Sequence, residues 1–174
     1  MSDSFLRLLV RDVSADQQKN VLKIDFVNDV SAHFGDITET PVYYRTDSVR
    51  NILSNKYTAL YRISPKDIVD IYEIAKHYSF SWKEIIEEAE QKEAGIDLKE
   101  VSEIFRSYDT DSLSAINWIG KPDLNVIKAG IDKIAYDMVT MKENSLCQNN
   151  EFGNLIVSEP TPKKPKRSDS GWGW

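Results

Sequence analysis

The chain of 174 residues has few of the residue types on which several classes of protein depend. Its single cysteine, Cys147, excludes an internal disulfide and a cysteine-based zinc cluster. Two histidines, His33 and His77, are too few for a histidine-rich metal site. The seven glycines are scattered and form neither a G-x-G-x-x-G nor a Walker pattern, so the sequence has no glycine-rich phosphate loop.

Long apolar runs and an excess of positive charge are also missing. No apolar run approaches the roughly 18 residues that a membrane span needs, and the N-terminal segment MSDSFLRLLVRD is too polar for a signal peptide. We therefore expect a cytoplasmic protein with no membrane partner. The net charge of −6 argues against a broad basic face for nucleic acid.

The first part of the sequence has the alternating, β-branched and aromatic pattern of strands. Phe5–Arg11 and Val21–Val27 are predicted strands, joined by a polar loop over residues 14–20. Pro41–Arg45 is a candidate third strand at a sheet edge, where a proline that cannot donate to the ladder is tolerated. So few strands bury little apolar surface, which suggests only part of a sheet.

From Asp47 onward the apolar residues recur at helical spacing, which predicts five consecutive helices with short joints. Asp47 or Ser48 would cap the first helix. Two capping boxes are expected, at Ser81 with Glu84 and at Asp97 with Glu100. In a capping box, the first side chain accepts from the backbone amide of the second residue, and the second side chain accepts from the backbone amide of the first. The predicted helices begin near Ser48, Ser64, Ser81, Asp97 and Leu124.

These patterns predict an α+β fold in which a small, partial sheet is followed by an α-helical bundle. The predicted domains are strands over residues 1–46, a helical domain over residues 47–143 and a disordered tail over residues 144–174. The basic run Pro160–Arg167 in that tail is similar to a nuclear-localisation or nucleic-acid-binding patch, or is simply a solvated tail.

Asp25 contradicts the pattern around it, because an acidic residue in the middle of a strand opposes β propensity. A carboxylate on a rigid strand is suited to holding a divalent metal ion. The alternative is a solvent-facing aspartate paired with Lys23 or with a cation on the neighbouring strand.

Three charged residues lie on or beside the buried stripes of the first two helices. Lys56 follows Ile52 by four residues, so its ammonium either reaches a phosphate or a carboxylate, or extends to water while its stem covers the core. Asp67 follows Ser64 by three residues and is a plausible capping-box partner. Asp70 lies at the margin of the apolar face and is less easily explained as structural.

Taken in order, these features resemble the AbiEii/AbiGii family of nucleotidyltransferase toxins. The segments that carry the resemblance are LKIDFVND, DSVRNILSNKYTALYR and SPKDIVDIYEIAKHYSFSWKEIIEEAEQKEAGID, within a match over about residues 5 to 143. The family pattern has a strand aspartate, then a helix (S/D)-x-x-x-I-L-x-x-K-x-x-A-L, then a helix (R/K)-D-x-x-D-(L/I)-Y. This order and spacing are more specific than any one of the three motifs.

The resemblance implies a nucleotidyltransferase fold and a role for each candidate residue. Asp25 matches an acidic position that helps to activate the acceptor hydroxyl and binds Mg²⁺, and Lys56 matches the lysine expected to contact the triphosphate. Asp67 and Asp70 match an acidic pair needed for activity. The family's first motif, a Gly-(Gly/Ser)-(Thr/Ser) turn with an acidic pair, does not occur in the 24 residues before Asp25.

The resemblance therefore implies transfer from an NTP to a hydroxyl of RNA, with tRNA a possible acceptor, or of a protein. Since two of the usual three metal carboxylates are missing, we expect the C-terminal portion of such an enzyme, inactive alone, with a possible N-terminal partner chain or antitoxin. Toxin–antitoxin and phage-exclusion systems are the implied setting. The alternatives are a non-catalytic helical module, which binds a partner or is a decayed copy, and an unrelated helical regulator.

Overall fold

Two strands and a set of helices make up the part of the chain that the structure, a computed structural model, describes: residues 5–11, 21–27, 32–148 and 153–155. The fold is α+β, as the sequence predicts. The chain divides into two units, residues 1–31 and 32–174, and each is described by itself. Among the described residues, none of the helices combines the length and the apolar character that crossing a bilayer would require.

The first unit contains an antiparallel hairpin of β1 (Phe5–Arg11) and β2 (Val21–Val27). Both strands have the predicted limits, and the predicted loop over residues 14–20 lies outside the described residues. The register pairs Phe5 with Val27 and Arg11 with Val21.

Pro41–Arg45 is a turn, so the prediction of a third strand there is wrong. Thr40 Oγ1 accepts a hydrogen bond of 3.0 Å from the Tyr43 amide, and the Thr40 amide donates to the Tyr43 carbonyl at 2.9 Å. A single bridge between Thr38 and Thr46 flanks the turn. The threonine hydroxyl and the missing proline N–H favour a tight turn over a strand edge.

The second unit contains, in its described residues, six α-helices and one short 3₁₀ helix. Their bounds are α1 (Val49–Thr58), the 3₁₀ helix (Ala59–Arg62), α2 (Pro65–His77), α3 (Trp82–Lys92), α4 (Leu98–Ser107), α5 (Thr110–Ser114) and α6 (Leu124–Val139). The five predicted helices are present, and α5 and the 3₁₀ helix were not predicted.

The helix caps follow the prediction only in part. Ser48 caps α1, with its hydroxyl accepting from the Asn51 amide at 3.0 Å. Asp97 caps α4, but its own amide donates to the Tyr61 hydroxyl at 2.7 Å, so only half of the capping box predicted with Glu100 is confirmed. Ser81 makes no side-chain cap bond at the start of α3, and the Trp82 amide donates to the Lys142 carbonyl at 3.0 Å. The capping box predicted there is therefore wrong.

The core lies between the helices and is built from their apolar stripes. Trp82, Tyr57 and Phe105 are among its largest fully buried side chains. Close approach is required at Gly130 on α6, where a Cβ would lie 2.9 Å from Cδ2 of Tyr72 on α2. Other buried members are Leu53, Leu60, Ile68, Ile71, Ile85, Ile86, Leu113, Ile131 and Ile134.

Residues 144–148 and 153–155 pack against the helices, which corrects the prediction of a disordered tail from residue 144. The buried Asn144 side chain donates to the carbonyls of Ala75 and Tyr78, at 2.6 and 2.7 Å. The Leu155 amide donates to the Ser79 carbonyl at 2.9 Å. Residues 156–174, with the basic run, lie outside the described residues.

Candidate functional site

The structure brings three of the four candidate residues together. Lys56 Nζ lies 2.8 Å from Asp67 Oδ1 and 2.7 Å from Asp70 Oδ2. We call these three residues the Lys56 cluster. Of the two roles that the sequence left open for Lys56, the ammonium therefore takes the first and reaches carboxylates.

The cluster forms where the end of α1 meets the start of α2. Lys56 lies in the last turn of α1, and Asp67 lies in the first turn of α2. The chain reverses between them through the 3₁₀ helix and Ile63, whose φ of 51° and ψ of 50° are left-handed. A cation at a helix C-terminus and an anion at a helix N-terminus both suit the helix dipoles, which adds to the stability of the contact.

Asp67 serves this contact rather than a capping box. Ser64 makes no side-chain cap bond at the start of α2, and the Asp67 amide bonds the Ser64 carbonyl at 3.1 Å, while the Asp67 carboxylate turns to Lys56. Asp70, which the pattern alone did not explain, is the second partner of the same ammonium.

The three side chains differ in exposure, which sets what each can do. The Asp67 side chain is 15 % exposed, Lys56 is 32 % exposed and Asp70 is 51 % exposed. Burial lowers the pKa of the Lys56 ammonium, but its hydrogen bonds to the two carboxylates and their charges raise it by more, so the pKa lies above its ordinary value. Lys56 is consequently a cation at neutral pH, and a ligand from solvent can approach it.

The fourth candidate, Asp25, belongs to the other unit. It lies in β2 opposite Arg7 in the register of the hairpin, and the structure describes its backbone but not its side chain. Its predicted metal role therefore stays a prediction.

The residues that the structure describes do not by themselves fit a Mg²⁺ site. They contain no group of three or more His, Cys, Asp or Glu side chains placed to hold a metal ion. The two carboxylates that do converge, Asp67 and Asp70, are bound to the Lys56 ammonium.

Tyr108, which was not among the candidate residues, is affected by the charge of the cluster. Tyr108 is 5 % exposed and directly follows α4. Burial raises the pKa of its phenol, and the Asp67 carboxylate raises it further. The spacing of Tyr108 is that of an ordinary core residue, so nothing in the pattern distinguishes it.

A second polar group, on the opposite side of α1, was also not predicted. Lys92 Nζ donates to Asn51 Oδ1 at 2.6 Å and to Ser54 Oγ and Asn55 Oδ1, both at 2.7 Å. Since Asn51 and Ser54 are fully buried, these bonds satisfy polar atoms inside the α1–α3 contact and hold α1 in place.

Comparison with known proteins adds no assignment to this geometry. No protein-family model, no curated protein and no solved structure matches the chain.

Proposed function

We propose that this chain is the nucleotide-contacting portion of a cytoplasmic nucleotidyltransferase of the AbiEii/AbiGii toxin type. Its substrate would be an NTP, carried as the magnesium complex, and its acceptor a hydroxyl of RNA, tRNA among the candidates, or of a protein. The setting would be a toxin–antitoxin or phage-exclusion system.

The Lys56 cluster is the observation that carries this proposal. Lys56 belongs to one motif and the two aspartates, eleven and fourteen residues further along the chain, belong to the next, and all three match functional positions of the family that the sequence resembles. Lys56 Nζ lies within 2.8 Å of a carboxylate oxygen of each aspartate. Residues that serve only as separate caps or surface charges need not converge in this way.

Nucleotidyl transfer asks little of a protein beyond placing charges on the phosphates and aligning the acceptor hydroxyl. In the proposed role, the Lys56 ammonium turns from the carboxylates to the triphosphate, which carries more negative charge than either aspartate. Asp67 and Asp70 hold the lysine near that position when the nucleotide is absent. The metal carboxylates that the family has in its first motif would come from a second polypeptide segment.

Equilibrium binding of the four magnesium nucleotides to the full chain tests the proposal. We expect at least one NTP to bind and Lys56→Ala to weaken it by about 10- to 100-fold, the loss of one charge-assisted hydrogen bond. Lys128→Ala is the matched control, because Lys128 is also paired with a carboxylate, that of Asp132, but on α6. The NTP affinity of Lys128→Ala should equal that of the wild type.

One observation favours the alternative, a non-catalytic helical module that binds a partner. Both carboxylate contacts of Lys56 are made within the chain, so the cluster can serve only to join α1 to α2. The alternative predicts that no NTP binds and that Lys56→Ala lowers stability alone. That result, or an equal loss of binding in Lys128→Ala, would contradict the proposed nucleotide site.

A further inference from the structure

The outer edge of β2 (Val21–Val27) is suited to pairing with a further strand. Among the described residues, β2 pairs with β1 and with no other strand. The outer edge of such a strand presents backbone N–H and C=O groups to which another strand can bond. A two-stranded hairpin alone is marginally stable in water, whereas three or more strands with an apolar face can be stable independently. The hairpin should therefore gain stability from a further strand at this edge.

One face of the hairpin is made entirely of apolar residues. Successive residues of a strand alternate between its two faces, and residues paired across an antiparallel ladder share a face. The register places three apolar pairs on this face: Leu6 with Phe26, Leu8 with Ile24 and Val10 with Leu22. Leu6, Leu8 and Val10 are 57 %, 43 % and 49 % exposed. A further strand that continues this face must therefore carry apolar residues at the same alternating positions.

A second copy of β2 meets this requirement, because the strand sequence VLKIDFV is self-complementary about Ile24. When two β2 strands pair antiparallel with Ile24 opposite Ile24, all seven residues are paired and Leu22 lies opposite Phe26. Lys23 of each copy then lies opposite Asp25 of the other copy. Opposite charges at directly opposed positions stabilise a sheet, and like charges there destabilise it. A shift of the centre by one residue would oppose two lysines or two aspartates instead.

The edge of β1 (Phe5–Arg11) is less suited to self-pairing. With Leu8 at the centre of the sequence FLRLLVR, Arg7 lies opposite Leu9, and no opposite charges meet. With Leu9 at the centre, Arg7 lies opposite Arg11, so that like charges meet. The charge pattern therefore favours β2 as the edge that pairs and a second copy of β2 as its partner.

We propose that β2 is a dimerisation edge, at which two copies of this chain join their hairpins into one four-stranded antiparallel sheet in the order β1-β2-β2-β1. The two-fold axis passes through the Ile24 pair, and the apolar face continues across all four strands. Since Arg7 lies opposite Asp25 within each hairpin, each Asp25 position stands between Arg7 of its own copy and Lys23 of the other. The dimer rests on the first unit alone and does not depend on the proposed nucleotidyl transfer.

Sedimentation equilibrium of the full chain over a range of concentrations tests the dimer. We expect a reversible monomer–dimer equilibrium, since a single strand edge is a small interface. Lys23→Glu opposes like charges at both Lys23–Asp25 positions and should raise the dissociation constant by about 10- to 30-fold. Lys83→Glu is the matched control, because it makes the same charge change at an exposed lysine on α3, and it should leave the dissociation constant unchanged.

A second variant, Arg7→Asp/Asp25→Lys, reverses the charges at positions 7 and 25. It keeps opposite charges facing each other within the hairpin and leaves the net charge unchanged, but it opposes two lysines between the copies. We expect it to weaken the dimer by about the same 10- to 30-fold. In an equimolar mixture with Lys23→Glu, every opposed pair is again of opposite charge, so a heterodimer should form about as tightly as the wild-type dimer.

Three results of these measurements would overturn the proposal. A wild type that stays monomeric at every concentration leaves the β2 edge to a strand of another protein. A dimer that Lys23→Glu does not weaken forms through another surface. A mixture that associates no better than its two separate variants shows that the opposed charges do not select the partner.

Cross-linking tests the register without any change of charge. In a Cys147→Ser background, which removes the native thiol, Ile24→Cys puts the two new thiols at directly opposed positions. Their Cα atoms would be about 4.5–5.5 Å apart, a separation that a disulfide can bridge. Leu22→Cys is the matched control, because its two copies would lie about 13 Å apart along the sheet.

Under mild oxidation we expect a disulfide-linked dimer from Ile24→Cys and not from Leu22→Cys. Equal cross-linking of the two variants would mean random collision or another register, and the absence of any cross-link from Ile24→Cys would mean that the β2 edges do not meet. Either result overturns the proposed dimer.

Discussion

Arg50 on α1 and Glu88 on α3 form an ion pair in which both side chains are almost fully buried. Arg50 Nη2 also donates to Glu84 Oε2 at 3.0 Å, and Nη1 donates to the Leu155 carbonyl at 2.7 Å. One guanidinium therefore joins two helices and the last described segment of the chain.

Removing Arg50 should destabilise the helical unit strongly. Arg50→Met leaves the Glu88 carboxylate buried without its cation, and breaking a buried pair in this way costs about 3–5 kcal/mol. Because a well-packed apolar pair is often as stable as a buried ion pair, Arg50→Met/Glu88→Met should recover most of that loss. Urea denaturation measures both free energies of unfolding. If the double variant loses as much unfolding free energy as the two single variants together, Arg50 and Glu88 are not coupled and the prediction is wrong.

The same pair predicts a pH dependence of stability. Burial raises the pKa of the Glu88 carboxyl above its ordinary value of 4.5, and the Arg50 guanidinium lowers it by less. The folded protein therefore binds this proton more readily than the unfolded chain, so the Glu88 contribution to stability falls as the pH rises above 4.5. The difference in unfolding free energy between wild type and Glu88→Gln should shrink from pH 4.5 to pH 7. If this difference grows between pH 4.5 and pH 7, folding lowers the pKa of Glu88 instead of raising it, and the prediction is wrong.

Asn144 should contribute more to the stability of the fold than its position after the last helix suggests. Its Nδ2 donates to two carbonyls at the end of α2, and its Oδ1 accepts from the Leu146 amide at 3.1 Å. Asn144→Ala leaves these groups unpaired, so we expect a loss of about 2–3 kcal/mol in the free energy of unfolding. Asn144→Asp should be at least as harmful, since a carboxylate repels helix C-terminal carbonyls. Thermal unfolding that is unchanged in both variants would contradict this role.

The helices could be predicted because a 3.6-residue apolar period is a local property of the sequence. The first exception is the turn at Thr40–Tyr43, where alternating apolar and aromatic residues indicate a strand but one hydroxyl and one proline decide for a turn. The second is α5, whose five residues are too few to show a period. Short elements depend on individual side-chain bonds that the pattern does not reveal.

The candidate site, like the fold, could be predicted only in part. The sequence singled out Lys56, Asp67 and Asp70 one by one, as charges near apolar stripes. Their meeting depends on the left-handed Ile63, a β-branched residue that no turn rule would place there. Tyr108 was not among the candidates, and the Asp67 charge that raises the pKa of its phenol belongs to another element of the fold. Contacts between elements are decided by how the chain reverses, which residue spacing does not encode.

Gly130 should not tolerate alanine, although alanine is the better helix former. In an exposed helix Gly→Ala stabilises by about 1 kcal/mol. At Gly130 the new Cβ would lie 2.9 Å from Cδ2 at the edge of the Tyr72 ring, closer than side-chain atoms normally approach, so we expect a net loss of about 1–3 kcal/mol from overpacking between α6 and α2. Calorimetry on Gly130→Ala measures the loss. In a Tyr72→Leu background the same change should cost less, and an equal cost there would assign the effect to another contact.

The two carboxylates of the Lys56 cluster should differ in their effect on stability. Asp67 is largely buried, so Asp67→Asn should lower the free energy of unfolding by about 1–3 kcal/mol. Asp70 is half-exposed, so solvent screens its contact with Lys56, and Asp70→Asn should cost less than about 1 kcal/mol. Asp132→Asn, at an exposed i,i+4 pair with Lys128, is the control and should be close to neutral.

Nucleotide binding by the two variants then separates structural from functional importance. If both aspartates serve the proposed nucleotide site, Asp70→Asn should change NTP affinity although it scarcely changes stability. If the cluster only joins α1 to α2, Asp70→Asn should leave both quantities near the wild-type values. NTP affinity and the free energy of unfolding are compared across three variants, Asp67→Asn, Asp70→Asn and Asp132→Asn. If the loss of affinity is proportional to the loss of stability, the result favours the helical module over the enzyme.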